Sequence, residues 1–114
     1  MVNKKTEALM KTLTTEEVVV IHAALEDKPR AVALIPMDKS LSLKNKLEKA
    51  FMITNSIDDA WYKNKLLRYI GPEKFCRSTI VGDFVLVGSD KYKCKPAGWS
   101  KVVSLESAHE WSKV

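Results

Sequence analysis

TTEEVVVIHAALEDKPRAVALIPMD, residues 14–38, is the stretch whose reading decides the fold. Thr14 followed three residues on by Glu17 is a capping-box pattern, which argues for a helix through Leu25. Val18, Val19, Val20 and Ile21 argue the other way, because β-branched side chains lose rotamer freedom on a helix and pack well on a pleated surface. A second apolar run, residues 31–35, follows Glu26-Asp27-Lys28-Pro29-Arg30. The two runs read most economically as a β-hairpin around that five-residue connection. A helix followed by a strand is the alternative.

Outward from this stretch the pattern is easier to read. Upstream, residues 5–13 can form a short helix with Ala8, Leu9 and Leu13 on one side. Downstream, Ser40 can cap a helix in which Leu43, Leu47, Ala50 and Phe51 make one apolar face. A second helix can start near Ser56 or Asp58, carry Leu66, Leu67 and Ile70, and stop at Gly71-Pro72. Beyond Phe75 the pattern turns to strands: Ile80-Val81 and Phe84 to Val87, interrupted at Gly82-Asp83. Gly88-Ser89-Asp90 is a hairpin connection. The next strand, Lys91 to Lys95, places Tyr92 and Cys94 on one face and Lys91, Lys93 and Lys95 on the other. A short strand at residues 99–103 and a helix at 105–111 complete the reading. The class expected is α+β: one domain over residues 1–114, with a small antiparallel sheet and two or more helices packed on it.

Composition bounds the function. The net charge of +5 is uneven: residues 1–38 carry −1, residues 39–101 carry +7, and residues 102–114 carry −1. Only three of the nineteen basic residues are arginine, the side chain suited to bidentate readout of phosphates and base edges. A lysine-rich surface supports diffuse attraction to anions better than specific readout. No apolar run approaches the ~20 residues of a membrane span, and the N-terminal lysines precede no apolar stretch of the kind a secretory signal needs. Cys76, Cys94, His22 and His109 have no metal-ligand spacing, and a cytoplasmic chain would keep both thiols reduced. No Gly-rich phosphate loop or nucleophile elbow is present, so no cofactor, metal or catalytic set is expected.

Individual candidates each have a plain structural explanation. Asp58 and Asp59 suit a helix N-terminus, and His22 lies in an apolar run. Cys76 beside Arg77 could have a lowered pKa, though no partner base is recognisable. The lysine row recurs every ~7 Å, close to the phosphate repeat of an extended single strand, but Tyr92 points away from it. Lysines of this kind also guard edge strands against unwanted pairing.

ITNSIDDAW (residues 53–61), CRSTIVGDFVLV (76–87) and DKYKCKPAGWSKV (90–102) together resemble a group of small uncharacterised proteins from tailed bacteriophages and plasmids. Their pattern is Thr-Asn-x-Ile-Asp-x-x-Trp, then Arg-Ser-Thr-x-x-Gly-Asp-Val, then a Tyr strand ending in Gly-Trp or Gly-Phe. Here Phe84 stands for the usual valine and Ile80 for a common serine. The resemblance covers about residues 47–103; within the single domain, 39–103 is the family-like core, 1–38 a variable N-terminal part and 104–114 a C-terminal helix. It implies a mobile-element origin, a place in the host cytoplasm and no assigned activity.

Most of these signature residues suit an architectural role; Arg77 and Trp61 are the best surface candidates among them. The leading expectation is a non-catalytic phage accessory protein that binds and modulates a host or phage protein with an acidic surface. Lys91, Lys93, Lys95, Lys101 and Arg77 would face that partner, with Trp61 and Trp99 as partner-binding aromatics. One alternative is a DNA- or RNA-binding protein using the lysine-rich strand. The other is a small enzyme or ligand-binding protein with a site assembled from dispersed residues, for which a deep pocket converging on Cys76, Arg77, Asp83 or His22 would speak.

Overall fold

Thr15–His22 (β1) and Arg30–Asp38 (β2) pair antiparallel, so the opening stretch is a hairpin and not a helix followed by a strand. The computed structural model describes residues 14–55 and 60–102. Val18 and Val20 stand opposite Ile35 and Ala33, all four buried. The register shifts between Val20 and Ile21, a bulge that lets consecutive Val32 and Ala33 both turn inward. The connection is residues 23–29, longer than the five residues expected.

Leu43–Ile53 forms α1, capped by Ser42, whose hydroxyl accepts from Asn45 N at 3.2 Å. The expected cap, Ser40, instead donates its hydroxyl and its amide to Asp38. Leu47 and Ala50 are buried as the apolar face requires, while Leu43 at the first turn stays exposed. Phe84–Val87 (β4), Asp90–Lys95 (β5) and Gly98–Val102 (β6) follow as a meander. With Arg68–Tyr69 (β3), they complete a six-stranded antiparallel sheet in the order β3-β2-β1-β4-β5-β6.

The α+β expectation is thereby corrected. The described residues are mostly sheet, with one α-helix and the 3-10 turn Trp61–Lys63, in a single compact domain. Where a second helix was expected, Arg68 and Tyr69 pair with Leu34 and Ala33, and Ile70 N donates to Val32 O. Of the three residues assigned to that helix face, Leu67 goes inward while Leu66 is 67% exposed. Hydrogen bonding along the open edge of β2 outweighs a short apolar period. The helices expected at residues 5–13 and 105–111 and the start of the one near Ser56 or Asp58 lie outside the described residues.

Two further expectations change. Ile80 and Val81 are exposed in a turn closed by Asp83 N to Ile80 O, not in a strand. Strand β5 lies between β4 and β6, so its lysines do not guard an edge; β6 is the edge on that side.

One sheet face carries the core. Val18, Val20, Ile35, Met37 and Val85 pack there against Leu47 and Ala50 of α1, with Trp61 and Leu67 closing the end. Each fully buried aliphatic side chain contributes about 1.5–3 kcal/mol.

Candidate functional site

A cluster of polar side chains converges at the end of β1. His22 closes that strand, Glu26 belongs to the hairpin connection, Thr54 caps α1, and Cys76, Arg77, Thr79 and Asp83 come from the loop leading into β4. Asp83 is wholly buried. Its Oδ1 accepts from Ala23 N (2.9 Å), Ala24 N (3.0 Å) and Arg77 Nη2 (2.8 Å), and its Oδ2 from Ile80 N (2.8 Å) and Arg77 Nη1 (2.7 Å). Arg77 also donates Nε and Nη2 to Glu26 and Nη1 to Ser78 O. The loop is stitched on by Thr79 N to Thr54 O, Gly82 N to Cys94 O and Cys94 N to Asp83 O. Gly82 has φ +98, a left-handed conformation that strains any residue with a Cβ.

A single chain of protons runs beside this ion pair. Thr54 Oγ1 donates to Ala50 O at 2.7 Å, so its partner Thr79 Oγ1, also at 2.7 Å, must donate to it. Thr79 Oγ1 then accepts from His22 Nε2 at 3.0 Å. His22 is thus the Nε2–H tautomer, and its bare Nδ1 faces Cys76 Sγ at 3.6 Å, which donates. Burial lowers the His22 pKa, and the nearby Asp83 carboxylate only partly offsets it. Burial likewise raises the Cys76 thiol against the pull of Tyr69 and Arg77. Both effects favour neutral thiol beside neutral imidazole. Burial also pushes the Asp83 carboxyl up, but hydrogen bonds from Arg77, Ile80, Ala24 and Ala23 outweigh it and leave a pKa of about 2. The Arg77 guanidinium is held charged chiefly by Asp83.

Cys76, Arg77, Asp83 and His22 do lie together, although the enzyme alternative called for a deep pocket converging on them. Their polar atoms are spent on one another and on the backbone. His22 is 1% exposed, so its ring has no face to offer a substrate. The cluster is a brace joining β1, the α1 C-terminus and the β4 loop.

Arg77 and Trp61 are not the surface residues expected. Arg77 is held by Glu26 and Asp83. Trp61 is 3% exposed, donates Nε1 to Arg77 O at 2.9 Å, and stacks edge-on to His22, Tyr62 and Tyr69.

The remaining candidates fall on opposite faces of the sheet. Lys101 stands opposite Tyr92 on the α1 face and pairs with Asp90 at 3.5 Å. Trp99, opposite Cys94, is half-buried on that same face and meets Phe51 edge-on, with centroids 6.3 Å apart. Leu43, Lys44, Leu47 and Glu48 of α1 face Tyr92, Gly98, Trp99 and Lys101 across a solvent-open groove of about 680 Å³. Its floor is apolar and its rim carries Lys44, Glu48 and Lys101.

Lys91, Lys93 and Lys95 lie on the other face, as their alternation requires. The ammonium groups of Lys91 and Lys93 sit 4.9 and 6.0 Å from the centroid of the Phe84 ring. Phe84 is the residue that sequence reasoning missed on this face. The signal was available: the tight Gly88-Ser89 turn sets Val87 opposite Asp90 and so Phe84 opposite Lys93.

No family model, curated protein or solved structure matches this chain.

Proposed function

We propose that the chain is a non-catalytic binding module that docks a segment of a partner protein in the groove between α1 and the β5–β6 hairpin. The observation that carries this reading is the open apolar groove beside an edge strand. Among the described residues β6 pairs only with β5, so its outer backbone groups are available to an added strand. The segment that fits is extended, with an apolar or aromatic side chain set against Trp99, Leu43 and Leu47. Carboxylates beside it would face Lys44 and Lys101, in keeping with the +7 charge of residues 39–101.

The brace supports the same reading from the other side, since its polar groups are committed to holding the fold. In keeping with the phage-like signature, the partner is a host or phage protein whose activity changes on docking.

Selection of a random peptide library on the immobilised protein tests this. The reading expects enriched peptides that pair an apolar anchor with Asp or Glu, bind wild-type protein, and lose at least about tenfold in affinity on Trp99→Ala. Enrichment no better than an empty support, or binding indifferent to Trp99→Ala, would overturn it.

A further inference from the structure

The face of the sheet turned away from α1 has an order of its own. Register places Arg68, Leu34, Val19, Leu86 and Lys91 in one row across five strands, and Ala31, Ile21, Phe84, Lys93 and Ser100 in the next. The centre is a half-exposed apolar floor of Val19, Ile21, Leu34, Phe84 and Leu86. Along one side of it, Lys91, Lys93 and Lys95 project from β5 about 6.8 Å apart. Among the described residues the ion pairs engage Lys44, Lys46, Arg77 and Lys101, and none engages these three lysines. Glu17, on the same face of β1, lies beyond the last β1–β4 pair.

We infer that this face is a second binding site, for single-stranded nucleic acid, distinct from the groove. A row of uncompensated cations at the phosphate repeat of an extended strand tracks a backbone, and an aromatic ring beside it gives a base something to stack on. Lys91 and Lys93 now lie over Phe84. Drawing their ammonium groups onto phosphates uncovers the ring for a base, and the aliphatic floor extends the apolar surface beneath its neighbours. Among the described residues no helix lies on this face to enter a duplex groove, which favours the single strand. Lysine in place of arginine makes it tolerant of sequence.

Fluorescence anisotropy with labelled oligodeoxythymidylate and with its duplex, across a salt series, tests the assignment. The single strand should bind more tightly than the duplex, with affinity falling linearly on a log–log salt plot. Replacing Lys91, Lys93 and Lys95 together by alanine should shallow that slope by about two units, at ~0.7 per phosphate contact. Phe84→Leu should weaken binding at least about fivefold and leave the slope unchanged, as a stacking contact does. Trp99→Ala should change nothing here, which separates this site from the groove.

Absence of binding at low salt, a slope unaffected by the triple lysine change, or equal competition by polyglutamate would each overturn the proposal. The last result would point to an acidic protein instead. The three lysines stand on the face turned away from the core and can be replaced without entering it, so the test does not depend on Phe84→Leu folding.

Discussion

Arg77 grips Asp83 with both terminal nitrogens, Nη1 to Oδ2 at 2.7 Å and Nη2 to Oδ1 at 2.8 Å, and so ties a wholly buried carboxylate to a side chain six positions before it. The fork matches the carboxylate plane, and three backbone amides fill the remaining acceptor positions.

Asp83→Asn removes the charge and turns one acceptor into a donor facing N–H groups. The part-buried guanidinium is left with Glu26 as its one carboxylate partner among the described residues. A loss of about 3–5 kcal/mol is expected, read as a shift in the urea midpoint. Arg77→Lys should recover little of the stability lost in Arg77→Ala, because a point cation cannot fill both positions. Full recovery would mean that the charge matters and the fork does not.

Stability should fall with acid in two stages. His22 has its pKa lowered by burial, so below the ordinary value of 6.5 the unfolded chain takes up a proton that the folded chain refuses. Its contribution is constant above that pH and declines beneath it. Asp83 is held at about 2 against an ordinary 3.8, so its contribution is complete above 3.8 and lost between there and about 2. Urea midpoints measured across pH should show both stages, with His22→Gln removing the upper one. A midpoint unchanged between about pH 7 and about pH 5 would contradict this assignment of His22.

Cys76 should behave as a protonated, sluggish thiol. Burial raises its pKa and the facing imidazole stays neutral, so little thiolate exists at neutral pH. Iodoacetamide should label it more slowly than it labels free cysteine, and no thiolate absorbance should appear near neutrality. Labelling faster than the free thiol would revive the catalytic reading of Cys76 and His22.

The two tryptophans should separate fold from binding. Trp61→Ala opens a cavity and strands Arg77 O and the His22 ring, at a cost of about 3–5 kcal/mol. Trp99→Ala removes a half-buried ring that meets Phe51 edge-on at the margin of the core, and should cost clearly less. Thermal denaturation of the two variants measures the contrast, and equal losses would refute it.

What the chain announces in advance follows the distance over which its causes act. The alternation from Lys91 to Lys95 and the centre of the α1 apolar face, Leu47 and Ala50, are local and follow their periods, while Leu43 at the first turn does not go inward. The hairpin was legible because β-branched residues mark both strands. Arg68 and Tyr69 were misread because their partners lie on β2, far along the chain, where no local signal competes with an apparent helical period. Arg77 was misplaced for the same reason: Glu26, one of its two carboxylate partners, stands 51 positions away. Trp61 looked available because nothing near it in sequence reveals the buried carbonyl its indole needs. The groove is a meeting of α1 with β6, and no stretch of sequence contains both.

The most direct test of the binding-module account is heteronuclear NMR of the labelled protein titrated with a peptide selected for binding. The account predicts shift changes centred on Leu43, Leu47, Tyr92, Trp99 and Lys101, with His22, Cys76 and Thr79 unmoved. Changes centred on His22, Cys76 and Thr79, with the groove silent, would contradict it.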